Sequence, residues 1–430
     1  MDSRSKWQAV VDVLSQHYEN PDIGGARVVC ASVAAHTLKQ YPPAWCLIIA
    51  PPGSMKTDLV ESLRGLKSVY LVDEITPKTF ISGKIDDYRK NKKGRAKPAG
   101  LLHRLGSDIL LVAADFSTFT ANPKTLSQIL PQLRRIYDGN LTREFGSDEN
   151  LEERSWSGRL TFLASATPDV DKHYALFQSL GERFIRVRWN RAGGVSTGLR
   201  AMRHNPQVAL DLKNAVQGVL GPIFEQPQQS PTIPAAFEMR IAALSELVVL
   251  ARAYVERDRS RQQTGLVIAE GNTRLPQQLA QLARGSALLD GRSEINEQDY
   301  RVVVRAAFDS LLPARLMALK RIARTGKPYA TATETPSAVI ARAIEDLQHP
   351  DIGMLTSNGD LSEHAKALLK QAGLNPKSLE VSGIEYPASE TITRENKGVG
   401  VGYPQLRETL DAAETASLED IPEPAEALSC

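Results

Sequence analysis

Ala50-Pro51-Pro52-Gly53-Ser54-Met55-Lys56-Thr57, directly after the apolar run Cys46-Leu47-Ile48-Ile49, is the stretch from which the rest of the chain is read. A short, fully apolar run bounded by turn residues fits a buried strand of a parallel sheet. The turn after it carries two prolines and a glycine, then Lys-Thr, then a helical pattern over Asp58–Leu66. A phosphate-binding turn needs backbone free to aim its N–H groups at phosphate oxygens and a lysine that reaches the β/γ-phosphates. It also needs a Ser/Thr hydroxyl for Mg²⁺, all at a helix N-terminus. Pro52, Gly53, Ser54, Met55, Lys56 and Thr57 are therefore the expected nucleotide contacts, with Lys56 on the phosphates and Thr57 on Mg²⁺. Met55 stands where the usual pattern has its second glycine. A side chain there would narrow the loop or demand a strained φ.

Working outward, further short apolar runs occur at Val69–Val72, Ile109–Ala113, Leu160–Ala164 and Phe184–Val187, with a helical pattern at Thr125–Tyr137. Strands alternating with helices imply an α/β unit with a parallel sheet. The second of these runs ends in Asp115, where a carboxylate would hold Mg²⁺ through water. The next residue is Phe116 rather than a glutamate that activates water. Either Glu74 or Asp138 then serves as base, or hydrolysis is slow. The run from Leu160 ends in Ser165-Ala166-Thr167-Pro168, and Thr167 or Ser165 is placed to hydrogen-bond a γ-phosphate or the attacking water.

The strand signals stop near residue 205. Residues 206–326 read as successive amphipathic helices over Val208–Leu220, Ala235–Asp258, Leu275–Leu289 and Glu297–Arg324. Residues 326–336 read as a linker, 335–405 as a small C-terminal unit and 406–430 as an acidic, Pro/Ala-rich disordered tail. Residues 1–40 form an N-terminal helical segment, so the α/β nucleotide-binding core spans 41–205. The 430 residues are 42% hydrophobic and 24% charged, which excludes wholesale disorder. The longest apolar run is far short of the ~20 residues that cross a bilayer, so no membrane association is expected. Three cysteines without CxxC spacing, and an N-terminus without a secretion signal, imply a reducing cytoplasm.

Residues 44–190 resemble the AAA+ ATPase module. PPGSMKT looks like its Walker A, ILLVAAD its Walker B and LTFLASATPDVD its sensor 1 strand, which makes Thr167 the sensor. Gly181-Glu182-Arg183-Phe184 is similar to the turn bearing the family's arginine finger, which implies that Arg183 reaches a neighbouring subunit's γ-phosphate. Residues 270–310 resemble the helical lid of the MCM and MoxR-like branches, with Arg274 at the sensor 2 position, facing the nucleotide. The combination also resembles ATPases common in bacterial phage and mobile-element genomes. The resemblance implies ATP and Mg²⁺ as cofactors and a homo-oligomeric ring, usually a hexamer. It also implies a C-terminal unit of winged-helix type, as MCM proteins carry.

Two basic stretches suggest what such a ring acts on. One runs from Lys84 to Arg104; the other holds Arg183, Arg186, Arg188, Arg191, Arg200 and Arg203. Repeated around a ring they would suit a nucleic-acid backbone, as in a helicase or translocase. The alternatives are a MoxR-like protein-remodelling ATPase whose acidic tail binds a protein partner, and a nucleotide-dependent scaffold with slow turnover. The net charge of +2 hides an asymmetry, with basic stretches on the motor and the acidic tail at the far end.

Overall fold

A computed structural model describes residues 5–82, 85–90, 96–98, 100–116, 123–147, 150–179, 181–189, 194–203, 206–265, 267, 269–327 and 337–380. All of these fall in one unit, Met1–Ser382. The side chains of the Lys84–Arg104 stretch up to residue 99, the end of the C-terminal unit and the acidic tail lie outside the described residues.

The centre is a five-stranded parallel sheet of β1 (Trp45–Ile49), β2 (Val69–Val72), β5 (Asp108–Ala113), β8 (Arg159–Ala166) and β9 (Phe184–Arg188), in the order β2-β5-β8-β1-β9. This is the mixed α/β architecture expected, compatible with a P-loop core. Every residue of β1 is buried because both faces of the sheet are covered, which is why the strands read as continuous apolar runs. Trp45, Leu47 and Ile49 join Leu111, Phe162 and Phe184 in one cluster. The helix Pro123–Tyr137 presents Leu126, Ile129, Leu130, Leu133 and Ile136 to it, at the three- and four-residue spacing of one helix face.

The opposite face is covered by the helix Ile23–Ala35, nearly all of it buried. It lies between the sheet and the helix Arg274–Leu289, which explains why it is apolar all round. The backbones approach so closely that a Cβ on Gly285 would meet the Ala31 carbonyl oxygen at 2.0 Å. Arg27, itself buried, donates to the Ser286 hydroxyl at 3.0 Å and to Asp290 at 2.6 Å. The N-terminal helices thus join the core to the helical region.

Several helical boundaries differ from the sequence expectation, two of them most. The helix from Ala235 ends at Ala251, where the buried Arg315 guanidinium takes the carbonyls of Ala251 and Ala253 at 2.9 and 2.6 Å. Glu297–Arg324 is two helices, Glu297–Asp309 and Pro313–Thr325, because Pro313 starts a new helix, where its missing N–H costs nothing. Two hairpins were not anticipated: β3 (Ile85–Lys90) with β4 (Ala96–Pro98), and β6 (Asn140–Ser147) with β7 (Asn150–Ser157). The second is anchored at its base by Leu141 and Trp156, both buried, with the Trp156 indole donating to the Gly106 carbonyl at 2.6 Å. Arg143 and Arg154 reach from it to the carbonyls of Pro77 and Ser82, at 2.7 Å each. Of the C-terminal unit, helices Ala338–Gln348 and Glu363–Gln371 are described, packed on Pro313–Thr325 and Ala235–Ala251 respectively.

Candidate functional site

In an open parallel sheet, ligands bind beyond the carboxyl ends of the strands, where the connections diverge. Here the chain leaves β1 for the far edge at β2 and leaves β8 for the other edge at β9, so the divergence lies between β1 and β8. Lys56 sits at that crevice. Its Nζ donates to the carbonyl of Ala50, after β1, at 3.3 Å and to that of Ala166, ending β8, at 3.5 Å. Its pKa is pulled below the ordinary lysine value by burial, and the Asp115 carboxylate opposes the shift. Lys56 and Asp115 are therefore close enough at the strand ends to interact electrostatically.

The loop itself is unstrained at the doubtful position. Met55 has φ −59°, so its side chain demands no left-handed backbone; Gly53, with φ +73°, takes that conformation instead. Lys56 begins the helix Lys56–Ser62, and Asp58 accepts from the Tyr18 hydroxyl at 2.7 Å. A cleft of about 460 Å³ opens beside the loop, with Tyr18, Gly53, Ser54, Met55, Thr57 and Trp189 among its lining residues.

Thr167 directly follows Ala166 and precedes the 3-10 helix Pro168–His173, which sets it at the same crevice. Ser165 does not share that role: it is fully buried, and its hydroxyl donates to the Ala114 carbonyl while its own carbonyl accepts from the Phe116 N–H at 2.6 Å. This tie turns Phe116 inward. Its ring lies 5.9 Å from Phe162 and 6.3 Å from Phe184, a core position that no glutamate could occupy cheaply.

Arg183 immediately precedes β9, at the amino end of the sheet. The paired residues Trp45–Phe184 and Ile49–Arg188 put about 13 Å of strand between it and the strand ends that bear the loop. Arg183 donates to the Gly181 carbonyl at 2.7 Å, stands over the Tyr137 ring and lies 3.9 Å from Asp138. Asp138 is therefore at the opposite end of the sheet from Lys56. Glu74, the other base considered, is exposed just past β2.

Arg274 is expected to face its own nucleotide, but it lies beside Arg183. Its Nη1 donates to the Glu182 carbonyl at 3.2 Å, and Gln278, one turn on, donates to the Arg183 carbonyl. Together with Tyr137, Asp138 and Arg159, Arg274 lines a second cleft of about 450 Å³. Burial and then the Arg274 charge lower the Arg183 pKa, with Asp138 opposing. The two arginines thus lie side by side, each with a carboxylate nearby, Arg183 with Asp138 at 3.9 Å and Arg274 with Glu270 at 3.7 Å.

The second basic run is mostly consumed within the fold. Arg186 is fully buried and pairs with Glu182 at 2.6 Å and Asp171 at 3.1 Å; Arg188 pairs with Asp171 at 2.6 Å and Arg200 with Glu19 at 2.8 Å. These four-residue and longer-range pairings correct the expectation of a free positive stripe. Arg191 lies outside the described residues.

No helix among the described residues is long and apolar enough to cross a membrane. No protein-family model and no curated protein matches the chain. Among solved structures, a chain from Cytophaga hutchinsonii described as a candidate ATPase is similar at 15% identity and a TM-score of 0.40. The match covers 71% of this chain and 86% of that one, a likeness too slight to bear on the site.

Proposed function

We propose that the chain is an ATP-hydrolysing P-loop machine that works as a ring of copies. Each copy binds ATP on the turn 52–57 and lends Arg183 and Arg274 to the phosphate held by its neighbour. The observation that carries this reading is Lys56, held by the carbonyl ends of β1 and β8 near the charge of Asp115. Bound phosphate would replace those two carbonyls as the partner of the Lys56 ammonium.

The donor set at the crevice is one hydroxyl, Thr57, and one carboxylate, Asp115. Hard oxygen donors, few in number, suit Mg²⁺, which keeps most of its waters and takes the rest of its shell from phosphates. Bound there, Mg²⁺ would neutralise phosphate charge. Thr167, at the end of β8, orients the attacking water, and the neighbour's arginines stabilise the charge that develops on the transferred phosphoryl group.

Nucleic acid is the proposed substrate of the motor. The support is the β3–β4 hairpin, whose strands Ile85–Lys90 and Ala96–Pro98 hold part of the Lys84–Arg104 stretch on a two-stranded arm. The test is ATP turnover by wild type and Lys56→Ala, with and without single-stranded DNA, over a salt series. Wild type should turn over ATP faster with DNA, with a stimulation that fades steeply as salt rises, and Lys56→Ala should do neither. Turnover that ignores DNA at every salt concentration would transfer the motor to a protein substrate. An unchanged Lys56→Ala variant would remove the phosphate site itself.

A further inference from the structure

Three successive carbonyls of the turn before β9 are taken by side chains. Arg183 takes that of Gly181 at 2.7 Å, Arg274 that of Glu182 at 3.2 Å, and Gln278 that of Arg183. A Cβ on Gly181 would lie 2.7 Å from Arg183 Nη1 and 3.6 Å from Arg274 Nη1, so both guanidinium groups close on this one turn.

The Glu182 side chain ties the same turn to the core. It is 2% exposed, and one carboxylate oxygen accepts from the Phe184 N–H at 3.0 Å. The other accepts from Arg186 Nη2 at 2.6 Å and Nε at 3.2 Å. Arg186 is fully buried, with its guanidinium over the rings of Tyr174 and Phe177 at 5.1 and 5.4 Å. Its Nη1 donates to Asp171 at 3.1 Å, in the 3-10 helix that starts directly after Thr167. Each of the three guanidinium nitrogens thus has a carboxylate partner, which a buried charge requires. An apolar side chain would fill the middle of β9 without the cost of desolvating an ion pair, so what the pair adds is a fixed direction for Glu182.

Resting on the ring reading above, we propose that Glu182 and Arg186 are positioning residues, which hold Arg183 and Arg274 in the geometry that a neighbour's phosphate requires. A long cationic side chain delivers its charge only where its backbone is fixed, and a misplacement of about 1 Å can cost on the order of a hundredfold in rate. The Glu182 carbonyl holds Arg274 and its carboxylate holds the turn that carries Arg183, so one residue sets both. Asp171 secures the other end of the Arg186 fork, which references the turn to the chain leaving β8.

The test is ATP turnover and ATP affinity of Glu182→Gln and Arg186→Lys, each alone and mixed with Lys56→Ala copies. Glu182→Gln keeps the shape and an oxygen for the Phe184 N–H while removing the charge. Arg186→Lys keeps the charge but not the fork that spans both carboxylates. Each variant should bind ATP like wild type and lose turnover by about a hundredfold. Mixing with Lys56→Ala should restore part of the activity, because an intact loop in one copy then meets an intact arginine turn in the other. Wild-type turnover in both variants would overturn the positioning role, and so would loss of ATP binding in both, which marks a plain structural support. A defect that mixing leaves untouched, while Arg183→Ala mixed with Lys56→Ala recovers, overturns the positioning role and leaves the ring reading standing. If the Arg183→Ala mixture stays inactive as well, both fall.

Discussion

Arg274 Nη1 donates to the Glu182 carbonyl at 3.2 Å, which anchors the first turn of the helix Arg274–Leu289 beside Arg183 and away from the phosphate loop. Both arginines lie away from this copy's own phosphate loop, so in the proposed ring their effect would depend on a neighbouring copy.

Arg183→Ala and Arg274→Ala should each bind ATP with wild-type affinity and lose turnover, for Arg183 by about a thousandfold or more. Mixing Arg183→Ala copies with Lys56→Ala copies should restore part of the activity, because some interfaces then pair an intact loop with an intact arginine. Steady-state turnover of the mixture against each variant alone is the measurement. A mixture as inactive as its components would place both groups in one copy's site.

ATP affinity should fall on the alkaline side earlier than an ordinary lysine would dictate. Burial lowers the Lys56 pKa and Asp115 partly restores it. The ammonium is present below that lowered value and lost as pH rises through it, so affinity falls in the same direction. Asp115→Asn removes the opposing charge and should move the alkaline limb to still lower pH. Fluorescent-nucleotide titration without Mg²⁺ from about pH 7 to pH 10.5 reads the limb directly.

His36 predicts an acid-side loss of stability. It is buried against Thr161 and Arg159, and burial, then Lys39 and Arg159, hold its pKa well below 6.5. Below 6.5 the unfolded chain takes a proton that the folded one refuses, so stability is full above that value and falls as pH drops beneath it. The slope from this residue approaches about 1.4 kcal/mol per pH unit. Urea unfolding at several pH values between 6.5 and 5 should show it, and His36→Gln should flatten it.

Gly285→Val should destabilise the protein by about 1–3 kcal/mol or more, since the added carbon would lie 2.0 Å from the Ala31 carbonyl oxygen and the two helices would have to separate. The midpoint of urea unfolding is the readout. A midpoint equal to wild type would mean that the helix Ile23–Ala35 does not pack on Arg274–Leu289 as described.

Phe116→Glu should lower stability by about 3 kcal/mol or more and leave turnover no faster, because the position belongs to the aromatic cluster with Phe162 and Phe184. A variant that folds normally and hydrolyses ATP faster would show that position 116 faces the crevice.

The sheet was legible because its strands are buried on both faces. Cys46–Ile49 and Ile109–Ala113 are runs of apolar residues with nothing to dilute them, and the turn after β1 carries its own chemistry in Gly53, Lys56 and Thr57. The β6–β7 hairpin was not legible, since its strands are rich in Arg and Glu and few of their described residues, Leu141, Phe145 and Trp156, carry apolar side chains to the core. The break at Pro313 was visible as a residue, but a proline opens a helix as readily as it ends one. The sequence by itself determined the residue types at the strand ends, because phosphate chemistry restricts them to a few kinds at short spacing. Tertiary structure alone decided which of them meet. Arg183 and Arg274 are 91 positions apart. Strand order and helix packing set those neighbours, and neither is written in local spacing.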